Sequence, residues 1–207
     1  MSQEPYNNLG VAYISIEKPV RAIKFFKKAI KLKNDYTPAY CNLGHVYSSM
    51  GLKNEAIEIS KAAIGIDPES YKSYCNLGYV YSKNGDVDKA IDAFKKASHI
   101  KKDNTEPHYC LGTLYIKKGD YKRALDEYNK VLESGGLEDF NFYNALALVY
   151  IKNNRFKDSE DSLIHSLILN AKQFEPHNNL GNLYSMFGYF DLAVEEYKKA
   201  LQMAPDN

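Results

Sequence analysis

The sequence predicts an all-α solenoid of six helix–turn–helix repeats, and three observations predict it. The string Tyr-x-x-Leu-Gly-x-x-Tyr recurs every 34 residues. Its i, i+3, i+4, i+7 spacing has the period of a helix with one buried face. A second triplet, small-large-small in most copies, then follows at a constant offset. A period of this length marks stacked supersecondary units that bury one another's apolar faces.

The first copy is Tyr6, Leu9, Gly10, Tyr13; the second is Tyr40, Leu43, Gly44, Tyr47; the third is Tyr74, Leu77, Gly78, Tyr81. The fourth reads His108, Leu111, Gly112, Tyr115. The fifth comes one residue late as Tyr143, Leu146, Ala147, Tyr150, and the sixth is His177, Leu180, Gly181, Tyr184. Glycine inside a helix costs about 1 kcal/mol against alanine, so its return at one register implies a neighbouring helix too close for a side chain. That neighbour is the second helix, read from Ala22, Phe26, Ala29; Ala56, Ser60, Ala63; Ala90, Phe94, Ala97; Ala124, Tyr128, Val131; and Ala193, Tyr197, Ala200. Gly51, Gly85, Gly119 and Gly188 stand between the helices, where a left-handed residue ends one helix and reverses the chain. Pro5, Pro107 and Pro176 fall in first turns, where a missing N–H is harmless.

These residues resemble the tetratricopeptide repeat, and the resemblance runs from about Gln3 to Asn207. It implies a right-handed superhelix, a single array over 1–207 with repeats at about 3–36, 37–70, 71–104, 105–139, 140–173 and 174–207. The family's tryptophan is Tyr or His throughout, and its closing proline survives only as Pro68 and Pro205. The fifth copy departs most, with Ala147 for glycine, Asn154 at the turn, and Ser159 and Ser166 for the small alanines. It is expected to pack most loosely, with a kink near 134–140 after Gly135-Gly136.

The resemblance also implies a function: a protein-protein interaction scaffold that binds an extended peptide or partner helix in a concave groove lined by the free stripe of each first helix. The groove residues expected on that stripe are Asn8, Asn42, His45, Lys72, Asn76, Tyr79, Lys83, Tyr109, Lys117, Asn144, Lys152, Asn179 and Asn182. Asparagine recurs just before the leucine as Asn8, Asn42, Asn76 and Asn179. A carboxamide there can grip a peptide backbone through donor and acceptor together, an arrangement that resembles the asparagine ladder of O-linked N-acetylglucosamine transferases. The competing reading is that these amides serve helix packing. Lys83, Lys117 and Lys152 share a register near the ends of three first helices, which suits either the helix dipole or an acidic ligand. The family's carboxylate clamp for chaperone tails needs lysine and asparagine one turn apart in a first helix; Asn7 with Val11 and Cys41 with His45 do not supply it.

Composition narrows the remaining classes. Twenty-seven basic and 26 acidic residues leave a net charge of +1, which gives no field for nucleic acid or a membrane surface. The charge is uneven, however: residues 1–103 carry net +5 and residues 104–207 net −4. The N-terminus has no basic start or apolar run, so a cytoplasmic protein is expected. Cys41, Cys75 and Cys110 form no CxxC pair; Cys41, His45 and Cys75 lack a fourth ligand for a metal. No cofactor is expected. No phosphate loop, HExxH or clustered acid, base and nucleophile points to an enzyme. The alternatives to a peptide-binding scaffold are self-assembly through an array end, given that Leu192, Leu201 and Met203 are expected to lie open where the sequence stops at Pro205-Asp206-Asn207 without a capping helix, and a substrate-recruiting arm of a larger complex.

Overall fold

The computed structural model describes residues 2–203, so Pro205, Asp206 and Asn207 lie outside the described residues. Twelve helices form among these, paired as expected: α1 (Glu4–Ser15) with α2 (Pro19–Leu32), α3 (Thr37–Ser49) with α4 (Lys53–Ile66), α5 (Tyr71–Lys83) with α6 (Val87–Ile100), α7 (Thr105–Lys117) with α8 (Tyr121–Glu133), α9 (Phe140–Lys152) with α10 (Phe156–Leu169), and α11 (Phe174–Met186) with α12 (Phe190–Met203). The chain divides into two compact units, 1–107 and 108–207. The boundary falls inside α7, so the Gly135-Gly136 segment lies within the second unit.

Each repeat is held by one approach of its two helices. A methyl group placed on Gly78 would sit 2.8 Å from the ring of Phe94; on Gly181 it would meet Tyr197 at 2.5 Å; on Gly10 and Gly112 it would collide with Phe26 and Tyr128. The partner is always sixteen residues on, and Phe26, Phe94 and Tyr128 are fully buried. The sequence put glycine at the crossing because the opposing ring occupies the space of its Cβ. In the second repeat the opposing residue is Ser60, and the gap is closed by the Asn76 amide of the next repeat.

The fifth repeat overturns the expectation of loose packing. Ala147, Leu163, Ser159 and Ser166 are all buried to 1% exposure or less, and Ala147 and Leu163 share a core cluster with Leu180. Leucine replaces the ring sixteen residues after the crossing, which frees room for the alanine methyl. Ser166 Oγ donates to the Phe140 carbonyl at 3.1 Å. Small size at the crossing is therefore a property of the pair, and the fifth repeat satisfies it with the other partner reduced.

Leu9 departs from the buried stripe at 44% exposure, whereas Leu43 is 2% exposed. Leu43 packs with Ala22 and Phe26 of the preceding second helix, a neighbour α1 lacks among the described residues. In the second unit an aromatic chain runs from Tyr109 through Tyr128 and Phe142 to Tyr143, with ring centroids 5.1–6.1 Å apart, the offset and edge contacts that aromatic rings favour.

All six intra-repeat turns close by one backbone bond, from the N–H five residues beyond the last motif tyrosine to that tyrosine's carbonyl: Lys18 to Tyr13, Leu52 to Tyr47, Asp86 to Tyr81, Asp120 to Tyr115, Arg155 to Tyr150, and Tyr189 to Tyr184, at 2.8–2.9 Å. This closure needs a left-handed residue after the helix. Four turns use glycine, the fifth uses Asn154 (φ 59°), and the first uses Glu17 (φ 55°). The extra residue of the fifth copy has the same explanation. α8 ends with its own closure, Gly136 N–H to Val131 carbonyl at 2.8 Å, with Gly135 and Gly136 both at positive φ, whereas α2, α4 and α10 run out into extended backbone.

Two outcomes follow. Gly78→Ala should lower stability by about 1–2 kcal/mol even though alanine is the better helix former, and the same change in an F94L background should be neutral or stabilising; additive effects in denaturant unfolding would refute the crossing-pair account. Glu17→Gly should raise stability by about 1 kcal/mol by removing the left-handed strain of a β-carbon, and thus the melting temperature by about 2 °C; an unchanged or lower midpoint would show that Glu17 is not strained.

Candidate functional site

In the first unit α3 and α5 lie side by side, and the stripe opposite the Tyr-Leu-Tyr face of each opens into two adjoining clefts. One, of about 300 Å³, is lined by Cys41, Asn42 and His45 from α3, Lys72, Cys75, Asn76 and Tyr79 from α5, and Glu106 from the first turn of α7. The other, of about 350 Å³, extends it along His45, Ser48, Asn76, Tyr79, Val80, Ser82 and Lys83. Six of the thirteen expected groove residues, Asn42, His45, Lys72, Asn76, Tyr79 and Lys83, thus meet on one surface.

The polar groups there are partly committed to the fold. Asn42 Nδ2 donates to Asn7 Oδ1 at 2.9 Å, and Asn76 Nδ2 donates to Ser60 Oγ at 2.9 Å while Ser60 donates on to the Ala56 carbonyl. Each amide spends one N–H on an interhelix bond and keeps its oxygen out of it. Tyr79 is exposed and donates to Glu106 Oε1 at 3.1 Å. Cys41 lies 3.8 Å from Ser73 Oγ, and burial raises its pKa against the opposing pull of Ser73 and Lys72, so the thiol stays protonated at neutral pH. Ser48 Oγ is buried with no hydrogen-bond partner among the described residues.

The other seven expected residues are not among the lining of these two clefts. Asn8 is exposed on α1. Tyr109 is half-buried against the rings of Tyr128 and Phe142, where it serves the core. Asn144 Nδ2 donates to Gln173 Oε1 at 3.1 Å, and Asn182 Oδ1 accepts from the Tyr197 hydroxyl at 2.8 Å. Lys152 Nζ stands 5.8 Å from the centre of the Tyr121 ring; Lys117 is exposed and Asn179 half-buried.

Sequence reasoning missed a pair of part-buried hydrogen-bonded clusters. His108 and His177, which stand where other repeats have tyrosine, donate from Nδ1 to Glu127 and Glu196 at 2.6 Å, and Lys130 and Lys199 bind the same carboxylates from one turn on. The signal was present: glutamate appears nineteen residues after the motif's first position only in the two copies that begin with histidine.

The tetratricopeptide repeat pattern matches residues 3–36, 37–70, 71–104, 105–134 and 174–207. The chain belongs to the tetratricopeptide repeat family. The stretch without a match, 135–173, holds the copy with the Ala147–Leu163 crossing. No curated protein matches the sequence. Among solved structures, the chain is similar to PilF of Pseudomonas aeruginosa (TM-score 0.85, 15% identity, 99% of this chain and 93% of that one). It is also similar to YrrB, described as a tetratricopeptide repeat protein with an unusual peptide-binding site (0.76, 22%, 88% and 93%). A third similarity is to the APC/C hetero-tetramer Cut9-Hcn1 (0.77, 18%), where the whole of this chain spans 41% of that one. At these identities the likeness is one of fold. Tetratricopeptide repeats mediate protein-protein interactions, and among the described residues no helix is long and apolar enough to cross a membrane.

Glu196 carries a pH dependence. Burial pushes the Glu196 pKa up, but the Lys199 and His177 hydrogen bonds outweigh it and hold it below its ordinary value of 4.5. A lowered folded pKa means that the stabilisation is complete above the unfolded value and is lost as pH falls through the folded one. Glu196→Gln should cost on the order of 1–2 kcal/mol at neutral pH, with the gap to the parent protein closing on acidification below about pH 4.5. Unfolding midpoints with a pH-independent gap would contradict this.

Proposed function

We propose that this chain is a non-catalytic interaction scaffold that holds an extended segment of a partner protein in the α3–α5 groove of the first unit. The convergence of Asn42, His45, Lys72, Asn76, Tyr79 and Lys83 on two adjoining clefts carries the reading. The larger cleft is mainly apolar and the smaller one is rich in polar groups, so the pair joins apolar surface to orienting polar groups, as recognition sites do. Lys72, Lys83 and the net +5 of residues 1–103 favour an acidic segment, with Glu106 already engaged by Tyr79. The six repeats act as one array in this reading, their 34-residue register passing unbroken through residues 105–107.

Self-association is a second reading, favoured by a specific surface. Met186, Phe187, Tyr189, Phe190, Val194 and Leu201 are each 48–65% exposed on the last repeat. Exposed apolar residues gathered this way mark contact surfaces. Sedimentation over a wide concentration range, with Phe190→Ser beside the parent, separates the readings; a monomer throughout would remove the second.

The groove is tested by peptide display on the full chain, followed by affinity and melting measurements on variants. Lys72→Glu with Lys83→Glu should weaken the selected acidic peptides about ten-fold or more at low salt with an unchanged melting temperature. Asn76→Ala should weaken binding about two- to ten-fold if the amide also serves the ligand. An Asn76→Ala protein that melts earlier and binds equally well would return that amide to the fold, and charge-reversed variants with undiminished affinity would overturn the groove.

A further inference from the structure

The residue nineteen positions after the first motif residue differs from copy to copy: Phe25, Ile59, Ala93, Glu127, Ser162 and Glu196. In four copies it fills the space between the two helices. Phe25 stacks on Tyr13 with ring centroids 5.2 Å apart, Ile59 packs into the cluster that holds Tyr47, and Glu127 and Glu196 take up the histidines. Where the residue is Ala93 the space stays open as a cleft of about 230 Å³. Leu77 and Ala93 form its floor and Tyr74 and Tyr81 its walls. This is the face of α5 opposite Asn76 and Tyr79, since residues 74, 77 and 81 share one helical stripe.

Two cations stand over the walls. Lys89 Nζ lies 5.6 Å from the Tyr81 ring centre and Lys96 Nζ 5.7 Å from that of Tyr74. Lys89 also approaches Asp86 at 3.7 Å, an exposed contact, and Asp92 completes the rim. The fifth repeat has a related cleft, of about 240 Å³, over Leu132, Leu146 and Ser162 between Tyr143 and Tyr150, but Asp158 stands in the place of Lys89 and His165 in that of Lys96, while Asp161 matches Asp92. Those carboxylates are already bound by Arg155 and Lys157. A similar recess thus occurs with a different rim, and the Ala93 cleft is the one flanked by two lysines.

We propose that the Ala93 cleft is a second docking site, taking an apolar side chain of phenylalanine size from an acidic segment of a partner protein. The apolar floor and tyrosine walls bury the side chain, and Lys89 and Lys96 meet the carboxylates on either side of it. The site is separate from the α3–α5 groove and stands or falls apart from it.

The test uses the full chain with 13C-labelled alanine and leucine methyls and 15N-labelled asparagine, and an acetylated, amidated probe peptide, Gly-Asp-Glu-Phe-Asp-Glu-Gly. The Ala93 and Leu77 methyl signals should shift saturably. The dissociation constant should rise at least about five-fold in Ala93→Ile, which installs the filler of the second repeat, and in the surface variant Lys89→Glu with Lys96→Glu. A probe with alanine for phenylalanine, or lysine for its acidic residues, should lose the saturable shift. Unmoved Ala93 and Leu77 signals, equal response to either control peptide, or shifts confined to the Asn42 and Asn76 side-chain amides would overturn the proposal; the last of these would leave the groove reading intact.

Discussion

The structure depends on a steric bargain repeated down the chain: within each repeat the two helices cross where the facing pair is small enough in sum, glycine against a ring in four copies, glycine against Ser60 in the second and Ala147 against Leu163 in the fifth. The hydrophobic effect supplies the driving force, since burying an aromatic or leucine side chain contributes about 1.5–3 kcal/mol. It does not by itself fix the distance between helices. The missing Cβ does. Phe26, Phe94 and Tyr128 reach full burial because glycine lets the facing backbone approach them, and the register of every flanking contact follows from that closest point.

From this spacing the rest is inherited. The crossing places residues 74, 77 and 81 against the second helix and leaves 72, 76, 79 and 83 on the opposite side of α5. The groove is therefore a by-product of packing, and its polar residues are drawn into the same economy. Asn76 bonds to Ser60 because Ser60 is too small to close the second repeat's crossing alone. A side chain that completes a neighbour's core and lines a cleft has two roles at once.

The helices, their pairing and their turns were legible because each rests on local spacing: a period of 3.6 for the stripe, a glycine for the reversal, a 34-residue repeat for the stack. Glu17 escaped because nothing in its type marks a left-handed residue; only its register with Gly51 and Gly85 does. The fifth repeat was misjudged by reading Ala147 without Leu163. The groove was legible in the first unit, where α3 and α5 face each other in plain register, and less so in the second. There Tyr109, Asn144 and Asn182 bond to partners 19, 29 and 15 residues away, and no local pattern announces such contacts.

The closure of α8 by Gly135 and Gly136 has a consequence for how such a chain can change. Because that helix is sealed by its own backbone bond to Val131, the connector that follows transmits no helical phase, and a length change there alters neither neighbour's core. The odd residue is absorbed as a spacer. Copies joined through a sealed connector behave as interchangeable cassettes, open to duplication, deletion or shuffling at that seam, whereas a length change within α8 itself would rotate its Ala124, Tyr128 and Val131 stripe out of contact.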